Sequence, residues 1–208
     1  HSINEAINKK AGRKLLPSIA VGLSLIALVW FTLSYQREIF AIVVAVAVIL
    51  GLRELVRAFA ARGIVISFNT LTLAAFGLSY AAWVGGVAGL AIATAIAFPL
   101  LLIRALLQGP DGFVAKATAT TFGLLYLPFL AGFLILLARP STGFQRVMTF
   151  MVLVGCNDTF GYIVGVLLGK HPLVPKISPK KTWEGLAGSI IFSSLYFRYN
   201  STYICPTA

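Results

Sequence analysis

Six apolar runs constrain this chain more than anything else in it. The first is Leu15 to Leu33, the second Ile39 to Leu52, the third Ile64 to Ala82 and the fourth Val84 to Ile103. The fifth runs from about Ala117 to Ala138 and the sixth from about Val147 to Leu168. A helix needs about 20 residues to cross the ~30 Å hydrocarbon core of a bilayer. Five of the runs have that length. The second gains it by continuing into Arg53-Glu54-Leu55-Val56-Arg57, where Arg53 and Arg57 stand one turn apart. The third and fourth meet at Trp83-Val84-Gly85-Gly86, which reads as a turn. None of the runs alternates polar with apolar residues, as barrel strands do. Helices satisfy their own backbone groups in lipid, so the fold class expected is all-α, a polytopic transmembrane helix bundle.

A seventh apolar run begins near Leu186 but meets Arg198 and Asn200 after about 12 residues, too few to span at 1.5 Å per residue. The expectation is about six full spans plus a partial seventh. It treats residues 1–208 as a single integral membrane domain that continues, in the natural protein, beyond the polar tail. No cleavable signal peptide is expected, because the first run is long and no small-residue cleavage site follows it.

Composition agrees. Of 208 residues, 59% are hydrophobic and 11% charged, well below the quarter usual for soluble domains. Mean hydropathy is +0.91. The net charge is +11. Its basic residues lie between apolar runs, which points to anionic headgroups or a phosphorylated substrate and away from nucleic acid. Their distribution also orients the chain. With the N-terminus in the cytoplasm, the inner loops carry Lys9, Lys10, Arg13, Lys14, Arg53, Arg57, Arg62, Arg104, Lys116, Lys170, Lys176, Lys180 and Lys181, and the outer loops only Arg37, Arg139 and Arg146. The positive-inside rule selects that orientation. Cys156 and Cys205 form no CxxC pair, so neither is assigned a metal or redox role.

The chemistry concentrates between residues 155 and 188. Asp158 lies inside the sixth run, and intramembrane acids are costly and therefore functional by default. Spacings of 3, 4 and 4 put Asp158, Gly161, Gly165 and Gly169 on one helix face. The glycines read as packing residues, and the shared face aims Asp158 at the bundle interior. Either a wet cavity reaches Asp158, or the helix breaks near Asn157 and Asp158 caps its second half.

Gly169-Lys170-His171-Pro172 ends the helix. Ser178-Pro179 reads as the restart, with Ser178 as N-cap and Pro179 in the first helical position. Lys180 and Lys181 then fall in the first turn, where the dipole disfavours cations unless an anion such as phosphate lies between them and the backbone N–H groups. A solvated inner loop gripping lipid headgroups explains the same spacing. Glu184, one turn from Lys180, has two readings, a partner for that lysine or a metal ligand. His171 reads as a loop residue.

The ordered run Asp158-Thr159, Gly161-Tyr162, Gly165, Gly169-Lys170-His171, Pro175-Lys176, Ser178-Pro179-Lys180-Lys181-Thr182-Trp183-Glu184-Gly185 and Gly188 closely resembles the bacterial phosphatidate cytidylyltransferase, or CDP-diacylglycerol synthase, family. The resemblance implies a multi-pass enzyme of the cytoplasmic membrane, with the N-terminus and motif loop cytoplasmic. It implies transfer of a cytidylyl group from CTP to phosphatidic acid, with Mg²⁺ as cofactor. It makes Asp158 and Lys181 catalytic candidates, assigns Lys170, Lys176, Ser178, Lys180 and Thr182 to substrate, and makes Asp158 and Glu184 metal candidates. It places the main metal ligands in a C-terminal region after residue 208, so the 208-residue chain by itself is expected to be inactive. The oligomeric state is open, a homodimer included. A transporter or a non-catalytic membrane fragment is the alternative. A CDP-alcohol phosphotransferase is excluded, because Asp111-Gly112 is followed by none of the acids that chemistry requires.

Overall fold

The computed structural model describes residues 15–174 and 178–204, with side-chain surroundings over 21–174, at 178 and over 181–199. Seven α-helices and one hairpin come in order. They are α1 (Leu15–Tyr35), α2 (Arg37–Ala60), α3 (Phe68–Leu106), α4 (Phe113–Leu124), α5 (Leu130–Ala138), α6 (Gly143–Leu168), β1 (Pro172–Val174), β2 (Ser178–Thr182) and α7 (Trp183–Ile204). A single π-helical turn, Leu125–Phe129, joins α4 to α5. It holds Pro128, which has no N–H to donate and crowds the carbonyl one turn back. The all-α expectation therefore holds apart from the hairpin. Among the described residues, four stretches are long and apolar enough to cross a membrane: Arg37–Ala60, Phe68–Leu106, Phe113–Ala138 and Gly143–Leu168.

The chain divides into two compact units, His1–Arg139 and Pro140–Ala208. In unit 1, α2 buries Phe40, Val44, Val48 and Leu52, one residue per turn on one stripe. Small residues let neighbours close in. Gly123 lies against Leu71, Gly132 against Leu90 and Gly51 against Leu127. Lipid is as apolar as leucine, so close packing of this kind, more than water exclusion, holds such helices together.

α3 is one element by hydrogen bonding only. Gly86 sits at φ 64° and ψ −145°, outside the helical region and open to glycine alone at little cost. The Ala81 carbonyl lies against Gly89, eight residues on. A straight helix would separate those positions by about 12 Å, so the chain reverses sharply at Gly86. That is the turn expected from Gly85-Gly86. Arg139 donates from Nη2 to the Val84 carbonyl at 3.0 Å, and its own carbonyl accepts from Arg37 Nη1 at 3.0 Å. The arginine thereby satisfies a carbonyl that the break releases from the helix ladder.

In unit 2, α6 and α7 run antiparallel in close contact. Phe160 stacks on Phe192 with ring centroids 3.9 Å apart. Gly161 faces Ser189, Val164 faces Gly188, and Gly165 faces Gly185. A methyl group on Gly185 would stand 2.6 Å from the Gly161 carbonyl oxygen and 3.1 Å from the Gly165 Cα. The glycines thus pack as their spacing predicts, against a second set of small residues on the next helix.

One open alternative and one expectation fail. α6 is continuous from Gly143 to Leu168, so no break near Asn157 makes Asp158 a cap. Ser178 does not start a helix either. Residues 178–182 form a strand, and α7 begins at Trp183. The strand wins because β1 offers a partner: Pro172 pairs with Thr182 and Val174 with Ser178, antiparallel. The two pairings are separated by two residues on β1 and four on β2, so the ladder is bulged.

Candidate functional site: a basic hairpin between two glycine-packed helices

Thr182 takes the capping role expected of Ser178. Its Oγ1 accepts the Gly185 N–H at 3.2 Å, and the Trp183 N–H donates to the His171 carbonyl at 3.0 Å. Glu184 lies in the first turn of α7, where the dipole favours an acid. Its Oε1 meets His171 Nδ1 at 2.7 Å, and its Oε2 accepts the His171 N–H at 3.3 Å. His171 therefore bonds through both its ring and its backbone, and the two ends of the hairpin are tied together. The His171 hydrogen bond first, and the backbone N–H groups of Glu184, His171 and Lys170 after it, hold the Glu184 carboxyl down at about 2. The helix N-terminus expected to receive phosphate is thus occupied by the chain's own carboxylate and hydroxyl.

The remaining candidates distribute around this clasp. Lys170 is exposed just past the end of α6, Lys181 is exposed on β2, and Ser178 is half-buried at the start of β2. Lys176 and the side chain of Lys180 lie outside the described residues. Since backbone position 180 belongs to a strand, the first-turn dipole no longer bears on Lys180 or Lys181. Asp158 is exposed on α6 and has no hydrogen bond or ion pair among the described residues, whereas its shared face with the glycines pointed it inward.

The α6–α7 register also measures how far apart the two acids stand. Gly161 opposite Ser189 and Gly165 opposite Gly185 put Glu184 level with about residue 166 of α6. Asp158 is then roughly 12 Å away along the axis. Ligands of one Mg²⁺ lie about 2.1 Å from the metal, a separation these two side chains cannot bridge. Among the described residues no group of three or more His, Cys, Asp or Glu could hold a metal ion. Asp158 and Glu184 thus do not fit as joint ligands of one Mg²⁺, and Glu184 already has a partner. Sequence reasoning missed that partner. Its only signal was an acid and an imidazole 13 residues apart around a basic loop.

The chain matches the model of the cytidylyltransferase family over residues 18–206. It belongs to that family. Among similar proteins, the phosphatidate cytidylyltransferase of Mycobacterium leprae (strain TN) is 36% identical over 198 residues, covering 88% of this chain and 64% of that protein. The phosphatidate cytidylyltransferase of Mycobacterium tuberculosis (strain ATCC 25618 / H37Rv) is 32% identical over 195 residues, 88% of this chain and 60% of that one. A phosphatidate cytidylyltransferase of Aquifex aeolicus (strain VF5) is 40% identical over 84 residues, 40% of this chain and 32% of its own length. The chain spans less than two thirds of the length of these relatives. No solved structure matches it. Membership of the cytidylyltransferase family agrees with the resemblance carried by the 155–188 motif, and nothing in these matches supports the transporter alternative.

Proposed function

We propose that this chain supplies the motif-bearing part of an enzyme that makes CDP-diacylglycerol from CTP and phosphatidic acid. The family match over residues 18–206 carries the reading. The basic hairpin gives it a chemical rationale. A phosphate oxygen of phosphatidic acid attacks the α-phosphorus of CTP. The bond from that phosphorus to the bridging oxygen breaks, and pyrophosphate leaves. Both reactants are polyanions, so catalysis is chiefly alignment and charge neutralisation. Lys181 stands beside the reacting phosphates as the catalytic cation. Lys170, Lys176 and Lys180 bind substrate phosphates, and Ser178 and Thr182 hold the strand that carries Lys180 and Lys181. Mg²⁺ belongs to the reading as counter-charge on CTP. Of the two candidate acids, Asp158 is free to approach it and Glu184 is not.

The hairpin lies at the cytoplasmic face of a multi-pass protein, where a lipid substrate and a soluble nucleotide meet. The count is six spans if α3 is taken as two, broken at Gly86. The N-in orientation is supported by the basic asymmetry of the loops. It is supported further by the gathering of Arg37, Val84 and Arg139, one from each expected outer loop, at one end of unit 1.

The deciding experiment follows label from CTP into lipid in membranes carrying the protein in its natural reading frame. Changing Lys180 and Lys181 together to Gln is expected to raise the KM for CTP at least tenfold or abolish turnover, about 1.4 kcal/mol or more of lost transition-state stabilisation. Unchanged kinetics would return both lysines to a headgroup-gripping loop. No label transfer by the unaltered protein would remove the proposal itself.

A further inference from the structure

Outside the motif, polar side chains converge at one more place. The two ends of α3 and the second half of α4 enclose a cavity of about 10 Å³, lined by Ser67, Thr70, Arg104, Gln108 and Thr120 with two apolar neighbours. It lies wholly within unit 1. In a chain only 11% charged, five polar side chains around one small space require an explanation.

The hydrogen bonding of this group is incomplete in one direction. Ser67 Oγ accepts from Thr70 N at 3.5 Å and from Thr70 Oγ1 at 2.7 Å, which leaves its own hydrogen to donate. Arg104 and Gln108 form no side-chain hydrogen bond or ion pair among the described residues. Thr120 is 7% exposed, and its hydroxyl has no partner among them either. Two other helix threonines bond to their own helix. Thr32 donates to the Leu28 carbonyl at 2.9 Å and Thr94 to the Leu90 carbonyl at 2.7 Å. Thr120, a largely buried residue that lines the cavity without bonding to its own helix, leaves its hydroxyl open to a group that enters there. The open positions are donors, and no acid lines the space.

We infer that this pocket binds a phosphate group, either that of an anionic phospholipid headgroup or free phosphate. Guanidinium, amide and hydroxyl donors match phosphate oxygens in charge and geometry. The size sets the mode. About 10 Å³ admits one water-sized atom, so one phosphate oxygen enters between Ser67 and Thr120. The rest of the group stays at the rim against exposed Arg104. Basic pockets between helices at a membrane surface recognise anionic headgroups by the same means. The inference is independent of the nucleotidyl-transfer reading, because no residue of the hairpin takes part.

Native mass spectrometry of the purified full chain tests it, with titration by phosphatidylglycerol, by phosphatidylcholine and, separately, by inorganic phosphate. One retained phosphatidylglycerol per chain is expected, weakened about tenfold by Arg104→Gln and about threefold by Thr120→Val. Arg57→Gln is the control, since that exposed arginine already pairs with Glu54, and it should change nothing. Retention of inorganic phosphate with the same Arg104 dependence supports the site and assigns it to a free anion. Failure of the unaltered chain to retain any phosphate-bearing ligand, or equal retention by Arg104→Gln, overturns the inference. Unchanged helicity of each variant excludes unfolding as the cause.

Discussion

At the scale of single residues, Glu184 is the group whose surroundings most change its behaviour. Its pKa is lowered in the fold, so the His171 contact contributes stability fully above the unfolded value of about 4.5 and loses it as pH falls through about 2. Carbon-detected NMR of the Glu184 carboxyl should titrate near 2, and His171→Ala should return it towards 4.5. A midpoint near 4.5 in the unaltered protein would mean that the clasp does not form in solution. Asp158 is a different case, an exposed acid with no described partner. Asp158→Asn keeps the size and removes the charge. Loss of at least tenfold in kcat with helicity intact is expected if the carboxylate acts on CTP or its metal. Full activity would exclude an essential acid there.

At the scale of elements, the α6–α7 pair depends on glycine. Gly185→Ala puts a methyl group against the Gly161 carbonyl, and overpacking of this kind costs about 1–3 kcal/mol. Gly155→Ala, on the same α6 with open space at its Cβ position, should be neutral or slightly stabilising, because alanine is the better helix former. Thermal unfolding in detergent compares the two. Equal midpoints would show that the helices are not in contact. The glycine spacing on α6 was legible in the sequence because a helix face repeats every three or four residues. The partner face on α7 was not, since one helix face does not identify its neighbour. The hairpin was misread for a related reason. Ser178-Pro179 satisfies the local chemistry of a helix start, but pairing with Pro172–Val174 is a non-local gain that no local signal reports.

At the scale of the whole molecule, the proposed N-in topology makes a direct prediction. Single cysteines at Arg37, Gly85 and Arg139 should react with an impermeant probe from outside the cell. Cysteines at Arg57, Gln108 and Lys176 should react only after permeabilisation. A Lys176 cysteine labelled from outside would overturn the orientation and remove the hairpin from the CTP pool.

Chain-local physics accounts for everything that residue order settled alone. Runs of apolar residues long enough for a bilayer must be helices, because lipid offers backbone groups no other partner. Paired glycines at 85–86 permit a reversal that other residues resist, and the structure places the break at Gly86. The ordered motif was equally legible, since it is a property of order alone. Tertiary packing settled which groups meet. It gave Glu184 to His171, moved the helix cap from Ser178 to Thr182, separated Asp158 from Glu184 by roughly 12 Å along the helix axes, and brought Ser67, Arg104 and Thr120 to one cavity. Apart from the Thr182 cap, which bonds three residues on, these groups lie far enough apart in the chain that only the packing of one element against another fixes their distance.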